Sequence, residues 1–336
     1  MNIKIEDIQK LPKVELHSHL DCSMSFDLVS KINPQISKNE YDSEFVGPLK
    51  CNSLSEILKY VTNQVNLMQT EENIRLVVKD LFNQLREENV IYTEIRFAPL
   101  LHLSQGLKPE AVVEIVADEI SICSNETAIE AGIILCTLRH FNEKESMQTV
   151  ELVKRYITNS LVIGFDIAAD EEGYSIDANK KAFLYAIEND LPRTAHAGEA
   201  KGPESMWETI NNFKPSRIGH GVRSVEDPSL VDYLIENNIH LEVCPTCNIQ
   251  TNIFDEYKDH PVNFLFNSGV SVGINTDGRT LCNVSLNEEY QKLVKTFNWG
   301  IEPLKQCNLN SVSHAFLSDL DKKYLTDKIK TGFKKS

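Results

Sequence analysis

Two histidines separated by one residue raise the first possibility of chemistry. The segment Val14-Glu15-Leu16-His17-Ser18-His19-Leu20-Asp21 reads as the end of a mostly apolar run. In an extended strand, residues i and i+2 face the same side, so His17 and His19 can reach one metal ion from a single strand end. Two other runs finish in a similar way: Arg193-Thr194-Ala195-His196 ends on His196, and Gly273-Ile274-Asn275-Thr276 leads into Asp277. Three imidazoles and a carboxylate suit zinc or another borderline divalent cation. Four protein ligands normally close a structural site, so hydrolytic use implies a fifth position for water. A bridged metal pair would need an anion such as a modified lysine at the end of the fourth run. That run, Leu-Val-Ile-Gly-Phe-Asp-Ile-Ala-Ala-Asp over 161–170, has no lysine. The expectation is one zinc ion per chain, held by His17, His19, His196 and Asp277.

Further groups complete a reaction centre. Glu199 lies three residues after His196, past Gly198, where the chain can turn sharply. A carboxyl in a dry pocket stays protonated and can donate to a substrate nitrogen. His220, between Gly219 and Gly221, ends another run; it can steer a hydroxide or stabilise developing negative charge. Asp21, two residues beyond His19, can reach a substrate hydroxyl or support a ligand. A rival zinc pattern is His240-Leu241-Glu242 followed by Cys244-Pro245-Thr246-Cys247. It superficially matches the H-x-E and P-C-x-x-C signature of cytidine-type deaminases. Here Val243 precedes the first cysteine, the proline lies inside the pair, and both pieces share one strand. Cys244 and Cys247 are therefore expected to be a buried strand-end cysteine and a loop cysteine. His102, His140, His240, His260 and His314 are expected to be structural.

Something must bring these positions together. Eight short β-branched runs, at 14–17, 90–97, 132–138, 161–167, 193–196, 217–221, 240–244 and 270–275, alternate with helical patterns such as 70–88, 109–125, 147–158, 177–189 and 227–237. This alternation predicts an α/β fold, a closed (β/α)₈ TIM barrel in one domain over 1–336, with its active site at the C-terminal ends of the strands. Residues 23–67 are read as a helical insertion after the first strand, lying over that mouth as a lid.

Composition narrows the partners. With 34 Lys+Arg against 49 Asp+Glu, the formal charge is −15, and the one basic cluster is the tail pair Lys334-Lys335. Nucleic-acid binding needs a basic surface, so it is not expected, and the acidic field disfavours phosphorylated small molecules. No apolar stretch of membrane or signal length occurs, and eight scattered cysteines read as reduced thiols of a cytoplasmic protein.

The pieces K-V-E-L-H-S-H-L-D, Y-T-E-I-R-F-A-P, D-I-A-A-D-E, H-A-G-E, G-H-G, L-E-V-C-P-T-C-N and I-N-T-D-G resemble the adenosine deaminase family of zinc barrels, in the same order and over nearly the whole chain. The resemblance implies hydrolytic deamination of adenosine and 2′-deoxyadenosine to inosine and 2′-deoxyinosine plus ammonia. It implies that Glu199 protonates purine N1 and His220 orients the attacking hydroxide. Asp21 would contact the ribose end, with His19 beside it. Three departures bear on the substrate. Cys22 stands where many members have glycine after H-L-D. Ala169 replaces a glycine whose N–H approaches purine N3. Gly278 stands where T-D-D would put the carboxylate facing N7, and Arg279 is expected to rework that edge of the pocket. Alternatives of the same chemistry are deaminases of adenine, methylthioadenosine or aminodeoxyfutalosine. From other classes come a non-catalytic nucleoside-binding protein and a metal-dependent amide or ester hydrolase.

Overall fold

Each of the eight runs is a parallel strand in the computed structural model, which describes residues 4–334. The first three residues and Lys335 of the basic tail lie outside the described residues. The strands are β1 (Lys13–His19), β2 (Val90–Phe97), β3 (Glu130–Leu138), β4 (Val162–Ala168), β5 (Thr194–Ala197), β6 (Arg217–His220), β7 (His240–Val243) and β8 (Val272–Ile274). Neighbours in sequence pair in parallel within β1–β4 and within β5–β8. Bridges Phe165↔Arg193 and Ser18↔Asp277 join the two halves at both seams. The Phe165 amide donates to Pro192 O at 3.0 Å, and the His19 amide to Asp277 O at 2.8 Å. The sheet therefore closes on itself, and the strand ends that the sequence grouped share one mouth.

Two strands differ from their expected bounds in ways that matter. β1 runs on to His19, so both histidines belong to it. Its pairing with β2 moves from Glu15↔Thr93 to Ser18↔Ile95, which places one extra β1 residue directly before the H-x-H ends. β8 stops at Ile274, leaving Asp277 in the following turn at φ +66°.

Amphipathic helices cover the outside. In Glu71–Glu87 the side chains of Ile74, Val77, Val78, Leu81, Phe82 and Leu85 are buried, the 3–4 spacing of a helix laid on a sheet. Thr70 caps it by accepting from the Asn73 amide at 3.2 Å. Asn142 and Glu145 form a capping box on Glu143–Tyr156.

Between β1 and that first long helix lie Phe26–Ile32, Lys38–Glu44, Leu54–Ile57 and Val61–Leu67. The first two pack together and onto the main core: Phe26 meets Tyr41 at 5.4 Å, and Tyr41 Oη donates to Met24 O at 2.8 Å. The later part, 54–65, lines a cavity that His19, His196 and Asp277 also line. No helix among the described residues is long and apolar enough to cross a membrane.

Candidate metal centre and catalytic pocket

His17, His19, His196 and Asp277 present ligand atoms that all lie within 4.8 Å of one another. His19 Nε2 and His196 Nε2 are 3.2 Å apart, and Asp277 Oδ1 is 3.3 Å from His17 Nε2 and 3.2 Å from His19 Nε2. Zinc bonded tetrahedrally to two imidazoles holds their nitrogens about 3.3 Å apart, so this spacing fits one ion. The protonation pattern also fits. His17 Nδ1 sits 3.0 Å from Glu242 Oε2, and His196 Nδ1 3.2 Å from Asp166 Oδ1. A carboxylate at Nδ1 fixes the Nδ1–H tautomer and leaves Nε2 with a lone pair. Nε2 of His17 is buried and faces the Asp277 carboxylate, itself an acceptor, at 3.3 Å; two facing lone pairs cost free energy unless a cation sits between them. A second group, Cys247, Asp277 and Cys282, also brings ligand-type atoms within 4.8 Å of one another.

The two carboxylates behind the histidines belong to a charged layer inside the barrel. Arg96 contacts Asp166 at 2.7 Å and Glu242 at 2.5 Å, and Arg217 contacts Glu242 at 2.7 Å and Glu94 at 2.5 Å. All five side chains are fully buried. Although burial opposes ionisation, Arg96 and Arg217 hold the Glu242 carboxyl well below the usual range. For Asp166 the same opposition is overcome by His196 and Arg96. Both therefore stay anionic behind the imidazoles. The sequence reading gave none of the five this role and named Glu242 only within the rival zinc pattern.

Glu199 sits on the cavity wall, 4 % exposed. Burial first, then neighbouring Asp277 and Glu171, pushes its carboxyl well above the usual range, which favours its protonated form. The loop carrying it is organised by Glu171, another residue the sequence reading passed over. This carboxylate accepts from the amides of Gly198 (2.8 Å), Glu199 (3.0 Å) and Lys201 (2.9 Å) and from Ser205 Oγ (2.6 Å). His220 Nε2 lies 3.6 Å from Glu199 Oε2. His220 and Asp277 both hold positive φ, +65° and +66°, local strain of the kind found at functional sites. Asp21 lies on the wall beside the cluster, its pKa raised by burial to about 6, with His102 Nε2 3.9 Å away.

These groups surround a cavity of about 480 Å³. Its apolar wall comes from Leu54, Ile57, Leu58, Val61 and Val65 together with Leu101 and Leu138. Several expectations need correcting. His140, expected to be structural although its place after Arg139 at the third strand's end could bring it to the mouth, lines this cavity. Cys247 lies on the wall in a short helix, Pro245–Gln250, instead of a loop. Gly278 does not reach the wall. A Cβ on it would come within 2.7 Å of Cys22 Cβ and 3.2 Å of Cys22 O, so the Cys22 side chain occupies that edge and leaves no room for one at 278. Arg279 points away from the cavity and is buried between Glu15, at 2.5 Å, and Glu88. It braces the turn behind Asp277 and shapes no pocket edge.

Ala169 does face the cavity, and its φ is +77°. An L-residue in that region costs roughly 1–2 kcal/mol, and glycine's extra freedom when unfolded offsets about 0.4–1 kcal/mol of any relief. Ala169→Gly should therefore leave the melting temperature unchanged or slightly raised while widening the wall. A thermal melt falling by several degrees would contradict this.

A family model described as adenosine deaminase matches residues 12–332. The adenosine deaminase of Clostridium acetobutylicum is 37 % identical over 336 residues, spanning 98 % of this chain and 100 % of the relative. Adenine deaminase from Arthrobacter aurescens has a similar structure, with TM-score 0.88 at 23 % identity over 96 % of this chain and 99 % of that one. An amidohydrolase from Burkholderia ambifaria, with bound Zn, has TM-score 0.88 at 21 % identity over 99 % and 94 %. At these identities the two structures share the fold with this chain.

Proposed function

Since the chain belongs to the adenosine deaminase family and is thereby a hydrolytic deaminase of an aminopurine, we propose that it uses one zinc ion to convert adenosine and 2′-deoxyadenosine to inosine and 2′-deoxyinosine, releasing ammonia. The observation that carries this reading is the convergence of three Nε2 atoms and the Asp277 carboxylate beside the buried Glu199.

His17, His19, His196 and Asp277 would hold the ion. Zinc, when bound, supplies Lewis acidity that activates water at neutral pH. The protein's own groups do the rest. Glu199 gives its proton to the ring nitrogen beside the reacting carbon, which draws electron density from that carbon and opens it to attack. Asp277 accepts a hydrogen bond from the attacking water, and His220 holds that water over the ring. Asp21 and His19 face the sugar end.

The cavity is large enough for a base with its sugar. It is lined by Asp21, Asp170, Glu199 and Asp277, with Lys59 the one lysine or arginine on its wall among the described residues. That balance suits a neutral nucleoside better than a nucleotide. The narrowing by Ala169 and Cys22 supports a second reading, a 6-aminopurine whose sugar is absent or altered.

Zinc-loaded protein offered adenosine, 2′-deoxyadenosine, adenine and sugar-modified adenosines should release ammonia fastest from the first two. No ammonia from any 6-aminopurine would end this reading. Removal of metal by a chelator should abolish turnover, and one equivalent of zinc should restore it. At free zinc 100-fold above its Kd, binding should also add about 2.7 kcal/mol of stability, visible as a higher melting temperature. A chelated protein that still turns over would exclude metal from the reaction.

A further inference from the structure

We propose that Asn248 and His260 are positioning residues which lock His220 as the Nε2–H tautomer, so that His220 meets the reacting centre only as a hydrogen-bond donor. The proposal rests on the reading above for what His220 faces; its tautomer follows from the hydrogen bonds alone.

The Val262 N–H can only donate, and it reaches His260 Nδ1 at 3.1 Å. A neutral imidazole accepting at Nδ1 carries its proton on Nε2. Burial lowers the His260 pKa to about 3, so the ring is neutral. Its Nε2 lies 3.2 Å from Asn248 Oδ1, so Nε2–H donates and that oxygen accepts. This orients the Asn248 amide and turns its NH₂ toward His220 Nδ1, 3.2 Å away. An amide nitrogen only donates, so His220 Nδ1 accepts. The His220 proton then resides on Nε2, the nitrogen aimed at Glu199 Oε2 and the metal cluster.

The relay is rigid. His260, Asn248 and His220 are 2 %, 0 % and 1 % exposed. The Asn248 backbone donates to Cys244 O at 3.1 Å and accepts from the Ile253 amide at 3.0 Å, and Phe254 packs edge-on against the His260 ring at 5.2 Å. A ring that presents N–H has no lone pair for the proton of an attacking water. His220 therefore acts by orientation and charge stabilisation, and the nearby proton acceptor is the Asp277 carboxylate. The positions are 28 and 12 residues from Asn248 in sequence, and His260 belongs to the group expected to be structural.

The test is to invert the relay. Asn248→Asp replaces the donor by an acceptor, draws the His220 proton to Nδ1 and turns a bare Nε2 to the site. In zinc-loaded enzyme, nitrogen NMR of labelled histidine should show His220 as Nε2–H, and as Nδ1–H in Asn248→Asp. A wrong tautomer at an otherwise intact site can cost about 10⁴-fold, so kcat should fall about 10²-fold or more while KM stays within about threefold. His260→Gln, which keeps a donor toward Asn248 Oδ1, should stay within a few-fold of the unmodified enzyme, whereas His260→Phe, which does not, should lose about tenfold or more. A merely structural role would lower the melting temperature of both His260 variants alike and leave the tautomer unmoved.

Nδ1–H in the unmodified enzyme, or full turnover in Asn248→Asp, would overturn the proposal. If Asn248→Asp fails to fold, the spectrum of the unmodified chain still decides. If the unmodified chain deaminates nothing, the functional reading falls and the tautomer is decided separately.

Discussion

Glu199→Gln should keep its zinc and its fold and lose turnover by about 10²–10⁴-fold. The substitution is nearly isosteric. The loop that carries residue 199 is held by backbone amides donating to Glu171, and those contacts do not involve the 199 side chain. The wall therefore keeps its shape, and an amide stands where the acid stood. Glutamine can donate a hydrogen bond to a ring nitrogen but cannot transfer a proton to it. Burial, followed by Asp277 and Glu171, keeps Glu199 protonated into a pH range where an exposed carboxyl is ionised. Its protonated form is lost as pH rises through that raised pKa, so it sets an alkaline decline of activity. The residual activity of Glu199→Gln should lack that decline. The measurements are kcat across pH, zinc content and a thermal melt. Turnover within a few-fold of the unmodified enzyme would remove Glu199 from the chemistry.

The groups proposed to hold the metal were legible because each sits at or just past a strand end, where apolar runs stop and the polar residue stands out. Strand number and order were legible for the same reason, since β-branched runs alternate with 3–4 spaced helices. What supports the metal ligands was not. Glu242 is 225 residues from His17 and Asp166 is 30 from His196, and no local spacing says that they meet. A signal existed nonetheless. Glu94, Arg96, Asp166, Arg217 and Glu242 are charges inside or opening apolar strands, and a charge there must find a partner in the interior.

Single-position reasoning failed differently at Gly278. Taken alone it looks like a missing polar contact on the pocket wall. In space it is the room required by Cys22, so these two departures from the family pattern are one packing arrangement. His140 and His260 were set aside together as structural. One turns out to line the cavity and the other to lie behind Asn248, a distinction that depends on where loops go after the strands end.

The charged layer leads to the second large effect. Glu242→Gln should cost about 3–5 kcal/mol of folding stability, because one member of a buried ion network is neutralised while its partners stay charged. Glu242 accepts from His17 and Arg96 at Oε2 and from Arg217 and Thr194 at Oε1. Glutamine offers one oxygen to these donors and sets an NH₂ against the rest. Arg96 keeps Asp166 and Arg217 keeps Glu94, which should hold the loss to that range instead of preventing folding. His17 loses the acceptor that fixes its Nδ1–H tautomer, and zinc affinity should fall about 10–100-fold. Asp166→Asn, whose carboxylate meets His196, Arg96 and the Cys136 thiol, should match the loss of affinity with a smaller loss of stability. The pH dependence has a definite sign. The folded-state carboxyl of Glu242 is held below its unfolded value, so its stabilisation is present above the unfolded pKa and is lost as pH falls toward the folded one. Removing that carboxyl should flatten the acid side of the stability curve. Denaturant unfolding at several pH values and competitive zinc titration measure both effects. A loss below about 1 kcal/mol with unchanged zinc affinity would mean that the two arginines are satisfied without Glu242, and that His17 is oriented by β1 alone.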